Sequence, residues 1–540
     1  MSYQAFSPTN SNLSFFSYCS LTAFNVSYNR YIHYRGDILM LNTRASGVLM
    51  HLSCLPSRYG VGVMGDETKR FIEKIADMGF SYWQVLPLNP PDFYGSPYTS
   101  NAAFAISHMF ISPDELKKAG LVSDADIERN VYYGSPYTAD YEFAYNARLE
   151  LLKKAYANIT DEIKQKVDAF VADNPWCEAY SLYSALKEMN SDKPWYEWDK
   201  KYAYYEKCVE NADGELRELA AFYRFVQYIA FSQWREIKYY ANDRGVKILG
   251  DMPIYVSMDS VDVWSNRGLY EIDSKTFAKK RVAGVPPDYF SEDGQLWGNP
   301  LYNWKAMEKD GYKWWIARLK ASLRIFDTVR IDHFRAFASY WAVPAESKTA
   351  KNGEWLDGPK MKLFNAIKDE LGDLPIVAED LGTFGEDVIE LLEDTQFPGM
   401  RVIQFGFDPN GDSTHLPHNY PKNSIAYVGT HDNTTVLAWL WEANENERRF
   451  ALDYCGFKGD NWGEGGYRSP SCRAIIEAVW RSPSLISMIS FQDLCGFGSD
   501  ARMNVPGRAD GNWLFRTTED TINQVDAEYY RHINRLFKRK

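Results

Sequence analysis

The stretch Asp327-Thr-Val-Arg-Ile-Asp-His-Phe-Arg335 decides the fold. A short β-branched run carries almost no charge and then ends in polar residues, as a strand buried on both faces does where it reaches a surface. Alternation sets Val329 and Ile331 on one side and Arg330 and Asp332 on the other. Two distant segments follow the same plan, Pro375-Ile-Val-Ala-Glu-Asp-Leu-Gly382 and Ala426-Tyr-Val-Gly-Thr-His-Asp-Asn433. Asp332, Glu379 and Asp432 thus each stand where a buried strand runs out. In a barrel of parallel strands such residues converge on one mouth.

Working outward, eight strand-like runs occur: 47–53, 81–88, 246–256, 327–334, 374–380, 399–407, 424–432 and 484–493. Helical patterns lie between them. Asp66 to Met78 places Phe71, Ile72, Ile75 and Met78 on one face with Asp66 as its cap, and further helices are expected over Gly311 to Leu323 and Glu386 to Glu393. Eightfold strand–helix alternation predicts an α/β fold, a (β/α)₈ TIM barrel. Residues 40–540 would form it, with a large helical subdomain, about 99–220, inserted between strands 2 and 3. A second insertion, about 257–304, is rich in Gly and Pro and reads as a rim loop at the C-terminal face.

Residues 1–39 hold no Lys or Glu and a single acid, Asp37. They read as a disordered extension or as sequence upstream of a start at Met40. The net charge of −12 argues against nucleic acid or an anionic membrane as partner. No run of 18 apolar residues marks a membrane helix. Seven scattered cysteines without a C-x-x-C pair favour a reducing compartment, and hence a cytoplasmic protein. The basic run Arg535 to Lys540 reads as the solvated end of a last helix. His415 and His418 have a metal-like spacing, but Pro417 argues for a loop and no Cys or Glu ligand adjoins them, so no metal is expected.

Gly60-Val-Gly-Val-Met-Gly65 matches G-x-G-x-x-G between a strand and a helix, so an NAD-dependent oxidoreductase is one reading. Against it, the next strand ends in Leu86-Pro-Leu-Asn-Pro90 with no acid for a ribose, and Pro56, Arg58 and Tyr59 crowd the turn. The three acids would also have no role.

Those acids suit acetal chemistry. A retaining glycosidase needs a nucleophilic carboxylate and an acid/base carboxyl about 5–5.5 Å away. Arg330 beside Asp332 would hold that carboxyl ionised and low, as a nucleophile requires. Glu379 behind an apolar run would be raised toward the acid role. Asp432, beside His431, could stabilise charge.

RIDHFR, VAEDLG, GTHDN and Gly250-Asp-Met-Pro-Ile-Tyr-Val256 resemble the four signature regions of the α-amylase clan. Together with Ser96 to Ala105, Gly284 to Trp304 and Arg502 to Arg516, they most closely resemble the 4-α-glucanotransferases, known as amylomaltase or disproportionating enzyme. The resemblance spans about residues 40 to 540. It implies Asp332 as nucleophile, Glu379 as acid/base and Asp432 as transition-state stabiliser. It also implies Arg330, His333 and His431 around the donor sugar and Asp251 on a sugar hydroxyl. Ser96, Tyr98, Gln295, Trp297 and Asn504 would contact the glucan, and Asp288, Tyr289 and Phe290 would lie on a loop folding over it. No cofactor is implied, and the partners are α-1,4-glucans, with the chain a monomer or weak homodimer. An amylase-type hydrolase and a catalytically silent glucan-binding protein are the competing readings. Two positions depart from the family pattern: Ala336 replaces a usual glycine and Thr434 a usual acidic residue.

Overall fold

The computed structural model describes residues 43–92, 94–287, 291–382, 385–508 and 510–539. The 1–39 segment lies outside them. The described strands, in chain order, are β1 (Ala45–Leu49), β2 (Tyr82–Gln84), β3 (Lys247–Met252), β4 (Arg281–Val285), β5 (Gln295–Pro300), β6 (Thr328–Ile331), β7 (Ser339–Pro344), β8 (Glu354–Asp357), β9 (Ile376–Ala378), β10 (Gly399–Val402), β11 (Ser424–Tyr427) and β12 (Ile486–Ser490). Eight of them pair in parallel in the order β10-β11-β12-β1-β2-β3-β6-β9. The Ala378 N–H donates to the Pro398 carbonyl at 2.9 Å, joining the two ends into a closed barrel. Each of the eight runs read from the sequence overlaps one of these strands, the first being displaced by two residues from β1.

The barrel interior is packed by side chains from alternate positions, including Tyr82, Leu249, Val377, Met400, Ile425, Tyr427 and Met488. Gly47 makes room among them. A Cβ there would lie 2.6 Å from Met488 Sδ and 2.7 Å from Tyr82 Cβ. The Tyr427 hydroxyl donates to Gln84 Oε1 at 2.9 Å, which gives both buried polar groups a partner.

Helix Asp66–Asp77 buries Phe71, Ile72 and Ile75 against the barrel, but its cap is Gly65, and Asp66 is the first helical residue. The acid acts there on the exposed helix N-terminal dipole instead of as a cap. The other two expected helices run Lys313–Ile325 and Glu386–Thr395. Between β2 and β3 lie eight α-helices, ending in Gly214–Asp243. This last helix is continuous through residue 220 and begins with Asp213 accepting from Leu216 N–H at 2.9 Å. The Trp195 indole donates to Met258 O (2.7 Å), and Tyr183 and Lys187 both bond Asp259 at 2.8 Å. These contacts tie the helices to the segment after β3.

Two further expectations need correction. The 257–304 segment is not all loop: it contributes β4 and β5 to an antiparallel sheet ordered β5-β4-β7-β8, whose short strands lack the long apolar runs of the barrel. The basic C-terminal run is not wholly solvated. Arg539 is fully buried and donates to the carbonyls of Trp480, Ser482, Ser484 and Ala45. The G-x-G-x-x-G glycines shape a rim loop of a closed barrel, not a dinucleotide fold. Gly60 has φ +80°, and a Cβ on Gly62 would sit 2.0 Å from the Leu52 carbonyl.

Candidate active site

Strand register builds the site. Asp251 pairs with Arg330 across β3 and β6, and Ile331 with Ala378 across β6 and β9. Asp332 and Glu379 each follow the last paired residue by one. The Asp332 N–H donates to Met252 O and the Glu379 N–H to Ile331 O, both at 3.0 Å, so the ladder hydrogen bonds run on into both acids. They therefore stand at one level on neighbouring strands, whose spacing is about 4.8 Å. Asp380, next along the chain, points the other way and pairs with Arg401 at 2.8 Å.

Arg330 is buried at the centre. Its Nη1 donates to Asp251 Oδ1 (2.7 Å) and Oδ2 (2.6 Å), its Nη2 pairs with Asp332 Oδ1 (2.9 Å), and its Nε reaches Met400 Sδ (3.3 Å). One guanidinium thus serves two carboxylates. The Tyr98 hydroxyl completes Asp251, donating to Oδ2 at 2.7 Å.

His333 takes a left-handed conformation, φ 50° and ψ 48°, which is uncommon for a residue with a side chain. That turn aims its N–H at Glu379 Oε2 (2.8 Å), while Leu381 N–H donates to Oε1 (2.7 Å). Its ring stands edge-on to Trp297 with centroids 4.7 Å apart. Trp297 comes from β5, and its indole N–H donates to Gln295 Oε1 at 3.2 Å. The second sheet therefore brings two expected glucan contacts to the barrel mouth.

Asp432 is held by other means. Asn504 Nδ2 donates to Oδ1 at 2.6 Å, Arg502 Nη2 donates to the Asp432 carbonyl at 2.8 Å, and His431 Nε2 lies 3.4 Å from Oδ2. The His431 ring stacks on Tyr98 (5.1 Å, 15°) and leans on Trp513 (5.9 Å).

Burial raises both Asp332 and Glu379. Asp332 is pushed up to about 8 by burial, with Arg330 pulling it down and Asp251, Glu379 and Asp432 adding to the rise. Burial also raises Glu379, against Arg330 and two backbone N–H groups that lower it. The expectation that Arg330 holds Asp332 low is thus overturned. The pairing is present, but Arg330 is shared with Asp251, and four carboxylates crowd one cation. Glu379 beside it adds to the rise of Asp332, so the two acids titrate as an interacting pair. Burial pushes His333 down to about 3 and also lowers His431, leaving two neutral imidazoles.

Other expected residues stand apart. Ser96 lies two residues before Tyr98, its backbone N–H donating to Asp92 Oδ1 at 2.9 Å. None of the described contacts joins it to the acids. Asp288, Tyr289 and Phe290 lie outside the described residues. His415 Nδ1 accepts from Val402 N–H (3.1 Å), while His418 Nδ1 faces the Tyr454 hydroxyl (2.9 Å). Among the described residues, no group of three His, Cys, Asp or Glu side chains is arranged to hold a metal. Reading the sequence missed Arg502, Trp513 and Met400 as supports. Arg502 and Trp513 fall within the Arg502–Arg516 motif, but nothing in their spacing ties them to Asp432 or His431.

A family model described as 4-alpha-glucanotransferase matches residues 50–521. A 4-alpha-glucanotransferase of Clostridium butyricum is 39% identical over 497 residues, covering 91% of this chain and 100% of the relative. One from Streptococcus pneumoniae is 42% identical over 505 residues, covering 92% and 98%. Among solved structures, the amylomaltase from Streptococcus agalactiae in complex with acarbose superposes with a TM-score of 0.88 at 35% identity, covering 92% of this chain and 99% of that one. The chain belongs to the 4-alpha-glucanotransferase family.

Proposed function

We propose that this chain transfers segments of α-1,4-glucan to the 4-hydroxyl of an acceptor glucan or glucose, with retention of configuration. The observation that carries this is the placement of Asp332 and Glu379 at one level on neighbouring strands, with burial raising both. Neighbouring-strand spacing is close to the separation of a nucleophile and an acid/base, and short of the 6.5–9.5 Å an inverting enzyme leaves for water.

Asp332 attacks the anomeric carbon as its carboxylate while Glu379, in its acid form, protonates the departing glycosidic oxygen. The C–O bond to the leaving chain breaks as the Asp332–glycosyl bond forms. Glu379, now ionised, then takes the proton of an incoming sugar 4-hydroxyl, whose oxygen displaces Asp332 and restores the carboxylate. Asp432, fixed by Asn504, stabilises the cationic carbon in both transition states. Arg330 orients Asp332 and Asp251; Asp251 is wholly buried beneath Arg330 and Tyr98 and acts by holding Tyr98, whose hydroxyl faces the donor hydroxyls. Neutral His333 and His431 serve as uncharged sugar contacts, and Trp297 supplies an apolar face. The chain's own residues account for every bond made and broken, so no cofactor is invoked. A cytoplasmic monomer or weak homodimer acting on maltodextrins fits the cysteine usage and charge.

Feeding pure maltotriose and separating products by anion-exchange chromatography tests this. Glucose plus a ladder of longer maltodextrins supports transfer. Glucose and maltose without a ladder would establish an amylase-type hydrolase instead.

A further inference from the structure

Behind the Asp432 loop lies an internal pocket with about 20 Å³ of room, lined by His51, His431, Thr434, Asp493, Arg502 and Met503 among others. That is space for one water. Two of its lining residues carry a buried polar atom with no protein partner, His51 Nδ1 and Thr434 Oγ1. The residues that carry them are 5% and 8% exposed. Buried nitrogen and hydroxyl groups are rarely left unsatisfied, and polar pockets of this size are where internal waters reside.

We propose that this pocket binds one ordered water, held by His51 Nδ1 and Thr434 Oγ1, and that these two are positioning residues for Asp432. Asp493, on the same wall, has both carboxylate oxygens already engaged, by Val436 N–H (2.7 Å) and the Ser490 hydroxyl (2.8 Å).

Thr434 follows Asp432 by two residues. Its carbonyl accepts from Gln404 Nε2 at 3.1 Å, and the Asp432 carbonyl accepts from Arg502 Nη2 at 2.8 Å. The loop backbone is thus clamped at two carbonyls, and the water supplies a third hold through the Thr434 hydroxyl. His51 comes from the loop after β1, so the water ties the Asp432 turn, which follows β11, to a segment two strands away in the barrel. His51 packs edge-on against Phe110, with centroids 5.6 Å apart, which fixes its ring. Burial pushes His51 down to about 3, so the imidazole is neutral. A water can donate to its Nδ1 or accept from it, whichever tautomer is present.

This inference rests on Asp432 as the stabilising acid, a role exercised in the transition state. Loosening its turn is therefore read in kcat more than in KM. Thr434→Val keeps the shape and removes the hydroxyl. The expected result is a fall in kcat of about tenfold with KM within about twofold, restored by Thr434→Ser, at an unchanged melting temperature. A high-resolution crystal structure of the wild type should show density within hydrogen-bonding reach of both His51 Nδ1 and Thr434 Oγ1. No such peak, or a Thr434→Val enzyme with wild-type kcat, overturns the proposal. The crystallographic arm holds whether or not the valine variant folds. Asp432→Asn separates the two layers: if it stays fully active, the role of Asp432 falls, while the water site is still decided by the density.

Discussion

Asp332 and Glu379 stand one residue past paired positions of β6 and β9, whereas Asp432 stands five residues past Tyr427, on a turn. Backbone ladder bonds fix the first two, and their side-chain oxygens meet Arg330 or backbone N–H groups. Side chains from residues 502 and 504 fix the third. The difference teaches where each acid is vulnerable. The paired acids resist changes in neighbouring side chains because the barrel sheet sets their separation. Asp432 depends on a few removable groups.

Asp332→Asn should sharpen this contrast most. It removes the nucleophile but leaves the ladder intact, so maltotriose disproportionation should fall by ~10⁴-fold or more in kcat with the fold retained. Glu379→Gln should cost roughly 10³-fold. Its loss should shrink with a donor bearing a good leaving group, such as a maltosyl fluoride, which needs no protonation. Equal losses on both donors would remove Glu379 from the acid role.

Asn504→Ala probes the other mode of support. With Asp432 left in place but unheld, kcat should fall by about 10- to 100-fold, measured on the same assay. An Asn504→Ala enzyme with wild-type kcat would mean the turn holds Asp432 as firmly as the sheet holds the pair. Trp297→Ala is expected to act more mildly, raising KM for maltodextrins by about tenfold through lost ring contact.

The pH dependence gives the smallest and most specific effect. Asp332 is raised in the folded state to about 8, so its contribution to stability is present below the ordinary carboxylate range and is lost as pH rises through about 8. Asn cannot ionise. Asp332→Asn should therefore melt above the wild type at pH 8, by roughly 1–3 °C, with the gap closing toward pH 4. For the wild type, kcat/KM should decline on the alkaline side as Glu379, raised by burial, loses the proton that its acid role needs. A Tm difference independent of pH would contradict the crowding of carboxylates around Arg330.

Much of the barrel was legible because doubly buried parallel strands leave uninterrupted apolar runs, as in Ile376-Val-Ala378. The acids were legible for the same reason, each being a polar residue where such a run stops. The sheet β5-β4-β7-β8 was not, since Gln295-Leu-Trp-Gly-Asn-Pro300 is partly exposed and reads as a Gly/Pro loop. The direction of Asp332's shift was also hidden. Alternation places Arg330 beside it, but only the fold reveals the burial that chiefly raises it and the Asp251 carboxylate that engages the same guanidinium twice. Arg502 escaped notice because a contact across 70 residues between two turns leaves no periodic trace.

The covalent intermediate tests the central claim most directly. The Glu379→Gln enzyme, given a maltosyl fluoride donor, can form a glycosyl-enzyme but discharge it only slowly. Peptide mass spectrometry after rapid acid quench should find the added maltosyl mass on the peptide carrying Asp332. A maltosyl adduct on Glu379-region or Asp432 peptides, or turnover of the fluoride with no adduct and inverted product, would contradict it.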